Sequence, residues 1–420
     1  MSTLLAINNY YYDRGGSEAI FFAHNRLFEE LGWQVVPFSM QHEGNHASEW
    51  SEYFIEDLEM NGRYSLAQKL RRLPKVIYSI EARQRLDSLI HRVHPDIAHA
   101  HNIYHHISPS ILGLLKRRGI PTVLTLHDLK IACPAYNMLA ADGVCERCRG
   151  GKLYNVVTNR CIAGSAAMSF VVMIEAVVHK LLGSYRRHVD SFIVPSRFYI
   201  EKFAEWGLSG AKFRHVPNFV DAPRYEPDYA AGNRFVYFGR IVRQKGVATL
   251  IRAVAQARRP LLVAGTGPDL EAMRELAAEL QADVTFAGHL SGAALHDVIR
   301  SARAVVLPSE WYENAPVSLL EAYALGKPVI GARIGGIPEL IREQETGACY
   351  RSGDVAALAD ALEQFASRSS GQIAEMGRAA RSWVEKDYTL PMYRQRIMAV
   401  YRDLGVNVSN SQALVAGALP

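Results

Sequence analysis

Short apolar runs alternate with stretches of helical period along the whole chain, the pattern of doubly wound parallel sheets. In the first half, Leu4–Ile7, Gln34–Phe38, Asp96–His99, Thr122–His127 and Phe192–Val194 read as strands. In the second half the corresponding runs are Phe235–Phe238, Leu261–Ala264, Val284–Phe286, Ala304–Leu307 and Val329–Ile330. Between the halves, residues 215–233 are rich in Pro, Asp and Gly and read as a connection. The pattern therefore predicts a first α/β domain over 1–217, a linker over 218–233 and a second α/β domain over 234–385. A helix over 386–405 follows, and the patternless tail 406–420 is expected to fray. No short repeat occurs, so a solenoid is excluded.

Composition agrees with this division. A chain of 420 residues exceeds what one core usually serves, and 49% hydrophobic with 21% charged residues excludes a disordered or fibrous protein. The N-terminus reads as a first strand and not as an export signal. The longest charge-free apolar stretch, Cys161 to Ile174, stops at Glu175, short of the roughly 20 residues a membrane span needs. A cytoplasmic protein is expected, or one held at the inner face of a membrane. Net charge is +5 but uneven: residues 63–215 carry 23 basic and 10 acidic side chains, residues 1–62 only 2 and 10. Such a bias suits an anionic partner. Leu66, Leu70 and Leu73 fall on one helical face flanked by Lys69, Arg71 and Arg72, which predicts docking on an anionic membrane. Lys116-Arg117-Arg118 and Ala166 to Ile174 are expected to add contacts. Interleaved aromatic readout of nucleic acid is not evident, so no nucleic-acid partner is expected.

Candidate chemistry concentrates where strands end. Glu313 and Glu321 bracket a strand-to-helix junction, with Pro316 expected as the first helical residue. Unpaired amides around Asn314, Ala315 and Val317 would offer donors to a phosphate. Helical side chains tilt toward the N-terminus, so the Glu321 carboxylate would reach hydroxyls beside that phosphate. A phosphate next to a diol implies a nucleotide sugar. Arg240 and Lys245 lie in the loop after a strand ending at Gly239, at the carboxyl edge where open α/β sheets bind ligands. Gly265 and Gly267 form a second strand-end turn, and Gly288, His289 and Leu290 a third. In the first half, Gly15 and Gly16 precede a helix and would let backbone approach a phosphate, while His127 ends the fourth strand. His99 and His101 share a strand face and read as cleft-lining or acceptor-contacting.

The segment from Glu313 to Glu321 resembles the E-x7-E motif of the retaining glycosyltransferases of family 4, which have the two-domain GT-B fold. That resemblance covers nearly the whole chain and is densest from Gly239 to Glu345. It implies that Glu313 lies near the transferred sugar and that Asn314 and Ala315 hold the diphosphate, with Glu321 on the ribose. It also implies that Arg240 and Lys245 neutralise the leaving group, and that Gly265, Gly288, His289 and Leu290 line the nucleotide. From the other domain, Gly15 and Gly16 would close over the donor and His127 would meet its sugar. The implied donor is a UDP- or GDP-linked sugar. The implied acceptor is a glycan or a polyprenyl-diphosphate-linked lipid, as in cell-surface polysaccharide synthesis. The family often has glycine where this chain has Asn314. The D-x-D that anchors the metal of the GT-A fold is absent, so transfer without a catalytic metal is expected. A nucleotide-sugar epimerase of the same architecture and a nucleic-acid-binding protein are the alternative readings.

Cys133, Cys145, Cys148 and Cys161 form a C-x11-C-x2-C-x12-C series, and Cys349 stands apart. In a cytoplasmic chain this spacing favours structural zinc over disulfides.

Overall fold

The computed structural model describes residues 1–57, 74–208 and 212–408. The run Leu66 to Leu73, read above as a membrane-facing helix, lies outside the described residues.

The first sheet contains β1 (Thr3–Ile7), β2 (Gln34–Phe38), β3 (Ile97–Ala100) and β4 (Thr122–Thr125). A two-stranded hairpin of β5 (Leu139–Ala140) and β6 (Gly143–Val144) stands outside it; β7 (Ser191–Val194) and β8 (Phe213–His215) complete it. Its order is β2-β1-β3-β4-β7-β8, with every pair parallel. The second sheet contains β9 (Arg234–Phe238), β10 (Leu261–Ala264), β11 (Val284–Gly288), β12 (Ala302–Leu307), β13 (Val329–Ala332) and β14 (Gly347–Tyr350). Its order is β11-β10-β9-β12-β13-β14, again all parallel. The order reverses between β1 and β3 in one sheet and between β9 and β12 in the other. At such a reversal the loops leave toward opposite faces and open a crevice at the strand ends. Strands β1, β3, β4 and β7 are buried throughout, as expected where helices cover both faces.

The two units share the last helix. Residues Ser370–Asp387 form a helix that places Ala380 and Val384 in the core of the second sheet. Thr389 then caps the helix Leu390–Asp403 by accepting from the Met392 amide. Tyr393, Ile397 and Tyr401 of that helix pack with Leu4, Phe28, Ile97 and Ile193 of the first unit.

Several expectations need correction. Strand β4 ends at Thr125, two residues before His127, although the Leu126 amide still bonds to the Ile193 carbonyl at 2.9 Å. The edge strands β8 and β14 escaped the sequence pattern because Phe-Arg-His and Gly-Ala-Cys-Tyr contain no run of large apolar residues. Pro316 caps the helix Val317–Ala324 from outside, since its φ of −65° suits a helix but its ψ of 119° is extended. The charge-free stretch that stops at Glu175 lies within a longer helix, Ala166–Leu182, where the Glu175 carboxylate is buried against Lys130 Nζ at 2.7 Å. Val406 and Val408 of the tail pack into the first core, so the chain does not fray there.

Candidate active site

Backbone approach brings the second-domain loops together. Gly246 has a φ of 68°, and a Cβ there would lie 1.9 Å from the Pro308 carbonyl oxygen. Only glycine lets the loop after β9 press against the loop after β12. The Glu310 amide bonds to the Gln244 carbonyl at 2.9 Å, and Lys245 Nζ then meets Glu313 Oε1 at 2.6 Å. Ser309 Oγ donates to the same carboxylate oxygen at 2.7 Å. Burial raises the Glu313 pKa, but the Lys245 charge and these hydrogen bonds outweigh it and hold the carboxyl below its usual range. An ionised carboxylate and an ammonium therefore sit paired at the reversal between β9 and β12. Arg240 is exposed on the same loop, and its carbonyl accepts from Tyr237 Oη at 2.8 Å.

The loop carrying Glu313 and Asn314 is seated by glycines that the sequence reading did not single out. The Gly336 amide donates to the Glu313 carbonyl at 2.8 Å, and a Cβ on Gly336 would lie 1.9 Å from the Asn314 carbonyl oxygen. Ala315 is buried, and its carbonyl accepts from Asn218 Nδ2 at 2.8 Å. Glu321 is half-buried, with Tyr225 Oη 3.4 Å from its carboxylate. Burial raises its pKa, and the Tyr225 hydroxyl lowers it by less. The Gly265 amide donates to the Gly288 carbonyl at 2.6 Å, which aligns the ends of β10 and β11. His289 is exposed beyond them and Leu290 half-buried.

On the first domain, Gly15 precedes the helix Gly16–Glu30, whose start has no side-chain cap. His127 is half-buried, and its Nε2 lies 2.8 Å from Nδ1 of His101. The expectation that His99 and His101 line the cleft is wrong, because both are completely buried. His99 lies between Tyr401 Oη and Thr125 Oγ1, at 2.7 Å from each. Sequence spacing could show that the two rings share a face, but not that the returning helix would cover His99 or that Phe21 would pack on His101.

The facing loops touch across the cleft. Asn314 Nδ2 donates to the Leu126 carbonyl at 2.9 Å, and Ser196 Oγ donates to Asn314 Oδ1 at 2.8 Å. Glu339 accepts from the amides of Arg197 and Phe198 at 2.8 and 2.6 Å. Tyr312 Oη donates to Glu146 at 2.8 Å, and Arg243 donates to the Ala141 carbonyl. The cysteine-bearing segment therefore reaches over to the loops that hold Lys245 and Glu313.

The four cysteines line one small cavity of about 10 Å³, together with Met138, Val156 and Trp206. All are free thiols. Among the described residues, no three or more His, Cys, Asp or Glu side chains are arranged as a metal cage. Burial pushes the Cys133 thiol up to about 11 and Cys148 to about 12.

The basic clusters are partly neutralised. Lys116 pairs with Asp190 at 2.7 Å, and Arg118 holds both oxygens of Asp87 at 2.8 Å. Lys75 lies 2.8 Å from both Glu56 and Glu81. The helix Ala166–Leu182 instead exposes Phe170, Leu181 and Leu182, with Lys180, Arg186 and Arg187 exposed beside them. Among the described residues no helix is long and apolar enough to cross a membrane.

Two Rossmann-like domains, with crevices at their strand reversals and a cation–carboxylate pair in one of them, define the GT-B fold. The chain belongs to Glycosyltransferase Family 4: that family's model matches residues 14–224, and the model for glycosyl transferases group 1 matches residues 226–383. A GDP-mannose-dependent phosphatidylinositol monomannoside mannosyltransferase of Mycobacterium tuberculosis is 31% identical over 214 residues, covering 45% of this chain and 55% of the relative. A D-inositol 3-phosphate glycosyltransferase of Saccharomonospora viridis is 31% identical over 230 residues, covering 47% and 53%. The chain thus spans about half the length of the curated relatives it matches. Among solved structures, a sucrose-phosphate synthase from Thermosynechococcus elongatus superimposes with a TM-score of 0.71 at 19% identity, over 96% of this chain and 99% of the other. Anabaena HepE, solved with UDP and glucose, gives 0.66 at 15% identity over 96% and 100%.

Proposed function

We propose that the protein is a retaining glycosyltransferase that moves a sugar from a UDP- or GDP-linked donor to a glycan or a polyprenyl-diphosphate-linked acceptor, in cell-surface polysaccharide synthesis. The observation that carries this reading is the Lys245–Glu313 pair at the reversal between β9 and β12. The second domain (234–385) binds the donor, the first (1–217) the acceptor, and 218–233 links them. The helix Leu390–Asp403, within the segment 386–405, ties the second domain to the first, and 406–420 form the tail. Arg240 and Lys245 neutralise the diphosphate, and Asn314 and Ala315 offer it backbone amides. Glu321 holds the ribose diol, while Gly265, Gly288, His289 and Leu290 surround the base. Glu313 orients Lys245 and meets the sugar, while Gly15, Gly16 and His127 close over it from the first domain. The bond from the anomeric carbon to the phosphate oxygen breaks, and the acceptor oxygen bonds to that carbon on the same face. The acceptor proton passes to the departing phosphate oxygen. Preorganised cations stabilise the charge that develops on that oxygen, and no catalytic metal takes part.

Two further parts belong to this reading. The cavity lined by Cys133, Cys145, Cys148 and Cys161 supports a structural zinc, whose four thiolates would leave no open position for catalysis. The exposed Phe170, Leu181 and Leu182 beside Lys180, Arg186 and Arg187 support peripheral contact with the inner, anionic face of the cell membrane. The test of the donor assignment is thermal stabilisation by a panel of UDP- and GDP-sugars, followed by detection of the released nucleoside diphosphate with a glycan acceptor. Stabilisation by none of the panel would overturn it.

A further inference from the structure

His127 meets another histidine and not a carboxylate. Its Nε2 lies 2.8 Å from Nδ1 of His101, with ring centroids 5.0 Å apart and planes inclined by 25°. His101 is completely buried, packed on Phe21 at 5.2 Å and on His99 at 4.9 Å. Its other nitrogen, Nε2, is buried without a partner. Burial keeps both rings neutral, lowering His101 well below its ordinary value and His127 to about 4.

A single bond between two neutral imidazoles has one donor and one acceptor. If His101 accepted, its own proton would sit on the orphaned, buried Nε2, and an unpaired buried N–H is the rarer and costlier omission. If it donates, only a lone pair on Nε2 goes unused. His127 then accepts at Nε2 and carries its proton on Nδ1, the opposite of the Nε2–H tautomer that free histidine prefers in water.

We propose that His101 is a positioning residue whose Nδ1–H fixes His127 in the Nδ1–H tautomer, so that His127 meets the donor sugar as a neutral hydrogen-bond donor and not as a base. The proposal rests on the donor-site reading of His127. His99, which packs on His101, is itself bonded by Tyr401 Oη, so the helix returning from the second domain backs this pair through His99. Backbone contacts reinforce it, since the His101 amide donates to the Ile7 carbonyl at 2.8 Å.

The test is nitrogen-15 NMR of the full chain labelled at histidine, with the His127 signals assigned from a His127→Ala variant. The shifts of the Nδ1–H tautomer are expected. In His101→Phe, His127 should revert to Nε2–H, and kcat should fall by about 10-fold or more with donor KM nearly unchanged. His101→Asn, whose amide can donate from a similar position, should restore the tautomer and most of the rate. Near-UV circular dichroism identifies a variant that has lost its fold, in which case the wild-type tautomer and the Asn variant decide. An Nε2–H tautomer in the wild-type protein, or an unchanged tautomer in a folded His101→Phe, overturns the proposal. If the tautomer is as expected but His127→Ala transfers sugar normally, the positioning stands and the assignment of His127 to the donor site fails.

Discussion

The side-chain amide of Asn314 donates across the cleft to the carbonyl of Leu126 at 2.9 Å, one residue before His127. The family often has glycine at this position, and glycine has no such reach. Here Ser196 Oγ also holds the Asn314 oxygen, so one side chain joins both domains. Replacing Asn314 by Gly or Ala removes this link and leaves Ser196 Oγ only its acceptor bond from the Tyr199 amide. A lost hydrogen bond of this kind is worth about 1 kcal/mol or somewhat more. Transfer should fall by about 5- to 10-fold, chiefly through a higher donor KM, with the melting temperature nearly unchanged. Steady-state kinetics and a thermal scan check this; an unaltered KM would mean that the link does not govern closure.

The pairing of Lys245 with Glu313 predicts that the charges of this site matter to turnover more than to folding. Lys245→Ala and Arg240→Ala should each lower transfer by about 100-fold, the usual effect of losing a donor that stabilises leaving-group charge. Glu321→Gln should weaken donor binding, read by titration calorimetry, because one carboxylate can accept from both ribose hydroxyls. Equal donor affinity and turnover in all three variants would remove the site from this crevice.

Acid should destabilise the fold well above the carboxylate range. His24, His127 and His106 are buried and neutral, with pKa values lowered to about 3, 4 and 4, mainly by burial. Unfolding frees them to titrate near 6.5, so the unfolded state binds more protons as pH falls from about 6.5 to 4. Their stabilising contribution is complete above about 6.5 and is lost through that window. Asp128, raised to about 6 by burial, acts in the opposite sense, since its contribution is lost as pH rises through that value. His99, His101 and His215 are lowered as well, so the buried histidines outnumber the raised carboxyls of Asp128 and Glu321. The melting temperature should therefore drop by at least about 5 °C between pH 7 and pH 5; a flat profile would show that these rings ionise freely in the native protein.

Elemental analysis of the purified chain should find about one zinc per molecule if the thiols around the small cavity act as a set. Cys145→Ser should then lose metal and melt earlier. Chelator applied for minutes should leave transfer intact, because the catalytic loops carry no metal ligand in this reading. Zinc-free protein with a harmless Cys145→Ser retires the idea.

Flotation with vesicles tests the exposed apolar residues of the helix Ala166–Leu182. Binding to anionic vesicles at low salt and release at high salt are expected, since each basic residue near the surface contributes about 1 kcal/mol. Phe170→Asp or Leu181→Asp should abolish binding without loss of transfer to a soluble acceptor. Equal, negligible binding to anionic and neutral vesicles would favour a soluble acceptor.

Local pattern alone located ten strands, the Pro/Asp/Gly-rich connection and the loops carrying Arg240, Lys245, Glu313 and Glu321, because each is a short-range signal of period, turn chemistry or charge. The edge strands β8 and β14, Phe-Arg-His and Gly-Ala-Cys-Tyr, lack the apolar run that marked those ten. What lay beyond the sequence was any relation between residues distant in the chain. The burial of His99 depends on a helix some 300 residues away, whose Tyr401 hydroxyl bonds to it, and His101 is buried in turn against His99 and Phe21. The seating of Glu313 and Asn314 on Gly336 depends on close backbone approach, which leaves no mark on hydrophobic period. Likewise, Asn314 could be seen only as a departure from glycine until tertiary packing set it opposite Leu126. The chain's own pattern fixes which segments become strands and helices, because that is decided within a few residues. Only the closed pair of domains decides which polar groups meet, because hydrogen bonding and burial act through space and not along the chain.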